Sequence, residues 1–359
     1  MRKPSTFDCF CGLGGMSLGA DLAGFEVVGG VDADAKAITV YKRAFPRALS
    51  LQEDLLQVAP RTVLRSAGIG RGDVDVLLGG PPCQPYSINN HQRGTNDARC
   101  ALVKRYLEFV SLLRPRWLAL ENVPGFASIE GGTFLRTLLR SVQARGYFSA
   151  FHIVDASDFG VPQRRRRLVI LACRDGKKLR SAMEELRSRR DRMVTVGDAL
   201  GDLPVKEGRA TAYRCKPSSE FQRAMRSRSE KAVQDHIASG LGPTNLARIK
   251  HVPPGGNWRN IPRRLLPPGM KRARLSDHTT RYGRLRSDKP AFTLLTKCDP
   301  HWGCYLHPTQ DRVLTVREAA RLQSIPDHVH FSDRLNANYR LVGNAVPPLL
   351  AKGILEIIQ

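Results

Sequence analysis

A chain of 359 residues can bury a sizeable core, as one large domain or as two, and its hydrophobic and charged fractions of 42% and 25% exclude a disordered polymer. Its 57 Lys and Arg against 33 Asp and Glu leave a formal net charge of +24, an excess that points to an anionic partner. A phosphate backbone is the commonest such partner and a membrane surface the competitor; no long apolar run and no apolar leader near Met1-Arg2-Lys3-Pro4 appear, so neither a membrane span nor secretion is expected.

In chain order, Thr6 to Phe10 reads as a first strand, followed by a glycine turn and a helix through Met16, Leu18 and Leu22. Val27 to Val31 is a second strand, and a helix runs from Asp34 to Phe45, stopped by Pro46. A third strand precedes Asp54; Val74 to Leu78 and Trp117 to Leu120 are two more, each ending in a polar turn. Ala101 to Leu113 and Thr133 to Arg145 have helical spacing. Phe148 to Val154 and Leu168 to Cys173 complete the sheet, and the short link between them predicts antiparallel pairing. This alternation predicts an α/β fold with a largely parallel sheet and crossover helices. Beyond Arg174 the texture changes: Asp175 to Ser276 is rich in Arg, Lys, Ser, Pro and Gly and predicts a small, loop-rich unit. Order returns with a helix over Leu314 to Ser324, capped by Thr315 with Glu318 at the capping-box position, and with a last helix from Pro347 to Ile358 that is apolar on one face.

Several strand ends carry chemistry. The turn Phe7-Asp8-Cys9-Phe10-Cys11-Gly12-Leu13-Gly14-Gly15 lets the backbone approach a ligand, and Asp32 and Asp54, after the second and third strands, can accept from ribose hydroxyls; an adenosine-type ligand is expected, although a tight turn alone would look the same. Cys83 follows a buried strand and two prolines in Gly79-Gly80-Pro81-Pro82-Cys83-Gln84-Pro85-Tyr86-Ser87. A cysteine is usually a small buried hydrophobe, but this rigid, polar setting suits a nucleophilic thiolate. The other seven cysteines, with no C-x-x-C pair and no secretory signal, read as free packing thiols in a reducing compartment. Glu121, in Glu121-Asn122-Val123-Pro124, suits a general acid as well as a turn-capping acid. In Gln163-Arg164-Arg165-Arg166-Arg167, alternation along an extended chain puts Gln163, Arg165 and Arg167 on one face and Arg164 and Arg166 on the other. Cys298, His301, Cys304 and His307 recur every third residue; that regularity fits a loop feeding a strand better than a zinc site, and no metal is expected.

This ordered set, with Arg317-Glu318-Ala319-Ala320-Arg321-Leu322-Gln323 and Gly343-Asn344-Ala345-Val346-Pro347-Pro348, resembles the bacterial DNA cytosine-5 methyltransferases over nearly the whole chain except roughly residues 175 to 275. The resemblance implies a Rossmann-like S-adenosylmethionine-dependent domain over 1–175 and 311–359 and a target-recognition domain over 176–310. It implies that Cys83 adds to C6 of a cytosine flipped out of double-stranded DNA, with Glu121 at N3, Arg167 at O2 and Arg165 in support. S-adenosyl-L-methionine would lie against Phe10, Gly12, Leu13, Gly14, Asp32, Asp54, Pro81, Leu102, Asn344 and Val346, the C-terminal helix returning against the first strand. Departures are Ala33, where the family often has a larger residue against adenine, Tyr86 for Phe, and Cys100 for Asn or Gly. A cytoplasmic, nucleoid-associated monomer is implied, with a cognate restriction endonuclease as a functional partner. Two alternatives stand: RNA methylation, whose usual Cys-Phe-Thr signature is absent from the variable segment, and a non-catalytic DNA-binding regulator that holds the same cofactor.

Overall fold

The central strands of the sheet form where short apolar runs are buried on both faces. A computed structural model describes residues 2–81, 98–226, 232–331 and 334–359. The elements run β1 (Ser5–Cys9), α1 (Gly15–Leu22), β2 (Glu26–Asp32), α2 (Ala35–Ala44), β3 (Leu49–Gln52), α3 (Pro60–Ser66), β4 (Val76–Gly79), α4 (Ala98–Leu113), β5 (Trp117–Asn122), α5 (Thr133–Gln143), β6 (Phe148–Asp155), β7 (Arg166–Cys173) and α6 (Gly176–Ser188). The seven strands lie in the order β3-β2-β1-β4-β5-β7-β6. β1 to β5 pair in parallel, and β7 runs antiparallel to both β5 and β6. Phe7, Leu77, Leu118, Leu168 and Ile170 from successive strands meet Tyr106, Phe109 and Leu138 from the helices in one core.

Two topological facts position chemistry. The strand order reverses beside β1, so the turns after β1 and β4 open at the switch point where doubly wound sheets bind ligands. Because β7 is antiparallel, its N-terminal end, with Arg167, lies at the same sheet edge as the C-terminal ends of β4 and β5.

Further on come α7 (Val196–Leu200), β8 (Gly208–Ala212), α8 (Glu220–Arg226), β9 (Ala232–His236), α9 (Pro243–Ile249), α10 (Val316–Leu322), α11 (Leu335–Asn344) and α12 (Pro348–Ile357). β8 and β9 form an antiparallel hairpin. The chain divides into two compact units, one of 1–159, 166–190 and 346–359 and the other of 160–165 and 191–345. These bounds differ from the division read in the sequence: 311–345 falls in the second unit and 176–190 in the first.

The loop-rich reading of Asp175 to Ser276 needs correction. Asp175 caps α6, whose Leu179, Ala182, Met183 and Leu186 recur at helical spacing and are buried, while Lys, Arg and Glu between them hid the period. The Thr315–Glu318 capping box over α10 is present as expected. α12 docks on α1 through glycines: a Cβ at Gly15 would fall into the Val346 carbonyl oxygen, and one at Gly19 into Ala351. Gly15→Ala is therefore expected to push α12 off α1 and destabilise the first unit by about 1–3 kcal/mol, read as a lower urea midpoint.

Candidate active site

The turn after β1 is built from left-handed backbone, with φ of 62° at Phe10, 54° at Gly12 and 97° at Gly14. Only glycine adopts this conformation freely, which is why two of the three positions are Gly. Asp32, at the end of β2, clamps the turn: its carboxylate accepts from Gly12 N at 2.9 Å and from Asp34 N at 2.8 Å. Burial raises the Asp32 carboxyl, and these backbone N–H groups oppose the rise. Gly14 rests on the Tyr41 and Phe45 rings, whereas a Cβ at Gly12 would meet no atom within 4 Å. The turn is thus backed by packing on one side and open on the other, a shape that fits an adenosine-bearing cofactor.

The other residues expected at that ligand are placed variously. Leu13 is buried and offers a ligand only its backbone, Phe10 is half-buried, and Leu102 packs on the core from α4. Pro81 is buried. Val346 lies against Gly15. Asp54 is exposed and caps its own turn, accepting from Leu56 N at 2.9 Å. Asn344 is exposed at the end of α11 in the second unit.

At the ends of β4 and β5 a second constellation forms. Asn122 donates from Nδ2 to the Pro81 carbonyl at 3.1 Å, tying the chain after β4 to the end of β5. Glu121 Oε1 meets Arg167 Nε at 2.7 Å, both side chains 11% exposed. Gly80 sits beside this carboxylate: a Cβ there would lie 3.9 Å from Glu121 Oε2. A carboxylate steadied by a guanidinium next to a side-chain-free backbone can take or give a hydrogen bond at a heterocyclic ring placed there. Cys83 and Tyr86 lie outside the described residues, and Cys100 belongs to α4.

The alternation expected along the arginine run is present, with Gln163, Arg165 and Arg167 buried and Arg164 and Arg166 exposed. The three buried residues do different work. Arg167 pairs with Glu121, whereas Arg165, in the second unit, donates to the carbonyls of Leu294 at 2.9 Å and Gly343 at 2.7 Å. Gln163 donates to Leu322 O and Gln323 Oε1. Arg165 and Gln163 brace backbone.

A buried polar chain under the glycine turn was not foreseen. Asp8 Oδ2 accepts from Ser17 Oγ at 2.8 Å, and Ser17 Oγ lies 3.1 Å from Tyr41 Oη. Asp8, inside a strand, reads simply as part of the glycine motif; its helix partners lie nine residues or more away. Burial, opposed by the Ser17 hydrogen bond and reinforced by the Asp32 charge, raises Asp8 to about 7. An acid raised in the folded state contributes stability that is complete below its unfolded value near 4 and is lost as pH climbs through 7. Asp8→Asn should therefore gain on the wild type as pH rises, by on the order of a few kcal/mol at about pH 8, with the gap closing towards about pH 4. Urea midpoints measured across that range check it.

The quartet of possible zinc ligands is engaged elsewhere. Cys298 Sγ lies 3.7 Å from Leu314 O, Cys304 packs on Gly283, His301 packs edge-on against Trp302, and His307 Nδ1 accepts from Thr309 N and Gln310 N. Among the described residues no group of three or more His, Cys, Asp or Glu is arranged to hold a metal ion, and no helix is long and apolar enough to cross a membrane. Among the described residues six cysteines are free thiols; Cys9, Cys11, Cys173 and Cys304 are buried, but Cys215 is exposed, which corrects its reading as a packing residue.

Comparison with known proteins identifies the family. Residues 5–359 match the family model of the C-5 cytosine-specific DNA methylases. The chain is 32% identical to Type II methyltransferase M.AgeI of Thalassovita gelatinovora, over 99% of each protein. It is also 32% identical to Type II methyltransferase M.XorII of Xanthomonas oryzae, over 99% of this chain and 84% of that one. A crystal structure of a prophage-encoded E. coli protein, described as a DNA modification methyltransferase, superposes with a TM-score of 0.78 at 25% identity, over 99% of this chain and 98% of that one.

Proposed function

The chain belongs to the C-5 cytosine-specific DNA methylase family, and from that premise we propose that it methylates C5 of a cytosine flipped out of duplex DNA, through a covalent bond between Cys83 and C6 of the base. The observation that carries the reading is the Glu121–Arg167 pair, held at the sheet edge beside Gly80 and the Pro81 carbonyl that leads to Cys83. A pyrimidine is a poor nucleophile at C5, and thiolate addition at C6 divides one hard step into easier ones. Glu121 hydrogen-bonds or protonates N3, and Arg167 holds both Glu121 and O2 of the ring.

The cofactor in this reading is S-adenosyl-L-methionine, which supplies an electrophilic methyl group. The glycine turn over 10–15, clamped by Asp32, would hold it, with Pro81, Leu102 and Val346 as apolar neighbours and Asp54 and Asn344 as polar ones. Residues 1–175 and 311–359 form the catalytic part and 176–310 the part that selects the target. Both bacterial relatives carry Type II names, which supports a modification enzyme beside a cognate restriction endonuclease; in this reading it works as a monomer.

After methylation, loss of the C5 proton restores the ring and breaks the Cys83–C6 bond; duplex DNA with 5-fluorocytosine at the target, in which fluorine replaces that proton, should therefore trap a cofactor-dependent covalent adduct. Cys83→Ala should form none. An adduct that persists in Cys83→Ala sinks the mechanism, and methylation confined to RNA favours the RNA alternative.

A further inference from the structure

The second unit sorts its cations by use. Residues 241–290 carry twelve Lys and Arg against two Asp. Some of these are consumed inside the fold. Arg284 donates to the carbonyls of Val252, Ile249, His307 and Gln310 and pairs with Asp311 at 2.7 Å. Arg248 donates to Leu265 O, Asn245 Oδ1 and Tyr282 Oη; at the surface, Arg286 is instead neutralised by Asp288 at 2.6 Å. A guanidinium committed to fixed carbonyls is structural, whatever its charge suggests in the sequence.

Others face outward: Lys271, Arg272 and Arg274 are exposed. The same unit carries an aromatic platform. Trp302 is 53% exposed, the Arg281 guanidinium lies 5.3 Å from its ring centroid, and His301 packs edge-on against both Trp302 and Tyr282. The platform is braced from below: Trp258 N donates to Arg281 O, Trp258 Nε1 to Asp277 O, and Tyr282 N to Pro300 O. Burial holds the His301 imidazole below its ordinary pKa, and the Arg281, Arg248 and His278 charges push the same way against Asp299. The local field is therefore positive.

An exposed indole with a guanidinium at its ring suits a nucleic acid, where arginine reads the O6/N7 edge of guanine and ring faces take apolar contacts. We propose that Arg281 and Trp302 form the sequence-reading pair of the DNA contact, Arg281 on a guanine edge and Trp302 on the apolar surface of the neighbouring base step, while Lys271, Arg272 and Arg274 hold phosphates. This assignment rests on the reading that the chain acts on duplex DNA.

Two readouts on the full chain test it: selection of bound duplexes from a randomised pool, and bisulfite mapping of the methylated ones. Arg281→Ala is expected to lower preference for guanine at one position by roughly 5- to 150-fold. Trp302→Ala should relax the adjacent position. Arg272→Ala should weaken binding to all duplexes alike and flatten the salt dependence without changing the selected sequence. Should Arg281→Ala melt early, Arg281→Lys serves instead: it keeps the charge but loses the two-pronged donor, so preference still loosens while overall affinity holds. Unchanged preference in folded Arg281 and Trp302 variants overturns the assignment, as does a wild type that selects no sequence. A wild type that selects a sequence yet methylates nothing overturns the catalytic reading alone, and the binding selection then still decides the reading pair.

Discussion

Glu121→Gln is expected to slow methyl transfer by roughly 10²–10⁴-fold, the usual contribution of a positioned acid or base. The substitution keeps the shape of the side chain and removes its charge, so the Arg167 guanidinium, bound at 2.7 Å and mostly buried, loses its counter-ion. Breaking a buried pair from one side costs about 3–5 kcal/mol where burial is complete, and these side chains, still 11% exposed, belong somewhat below that. The thermal midpoint should therefore fall together with the rate. The two effects are separable. In the double variant Glu121→Gln, Arg167→Met no buried charge is left unpaired, so stability should recover while activity does not. Single-turnover rates and melting curves on the three variants decide the matter; a Glu121→Gln enzyme with the wild-type rate removes Glu121 from the chemistry.

Arg321→Met should destabilise the second unit strongly. Arg321 is fully buried and donates to Asp327 through Nε and Nη2 at 2.6 Å each, to Asp202 at 3.0 Å and to Ala199 O at 2.8 Å. Removing the guanidinium strands two carboxylates that are 0% and 2% exposed. Arg226 at 3.1 Å from Asp202 and Tyr213 at 2.7 Å from Asp327 soften the loss, so about 3 kcal/mol is expected, read as a lower urea midpoint. pH adds a second signature. Burial works to raise the Asp327 carboxyl, but the Arg321 hydrogen bonds and charge outweigh it and hold the group below the usual carboxylate range. A depressed acid contributes stability that is present above its unfolded pKa, near 4, and is lost as pH falls through the folded value. Wild-type protein should accordingly lose stability steeply below about pH 4, and Arg321→Met should show a shallower acid limb.

Most strands of the sheet and the helices α1, α2, α4 and α5 were legible because turn signals bound them, among them Gly12 to Gly15 after β1, Pro46 after α2 and Pro115 before β5, whereas α3 (Pro60–Ser66) was not read. α6 was not, because its four buried apolar residues are interleaved with charged ones in a region dominated by Arg and Lys. The exposed arginines likewise could not be told in the sequence from Arg284, Arg317 and Arg321, which are buried. Nor could the Asp8–Ser17–Tyr41 chain be found, since its partners come from three elements.

By itself the sequence determined which residue types stand at the strand ends, because short apolar runs and their glycine and proline turns are local, and it determined the alternating faces of the arginine run, because a strand has a period of two. Which of those residues meet was decided only by tertiary structure. β7 inserts between β5 and β6, antiparallel to both, and this places the start of one strand at the end of another. Glu121 and Arg167, 46 positions apart in the chain, become an ion pair, while Arg165, two residues earlier on the same face and itself part of the second unit, donates to the Leu294 and Gly343 carbonyls within that unit. Pairing across a sheet depends on hydrogen-bond register between distant segments, and no local pattern carries that register.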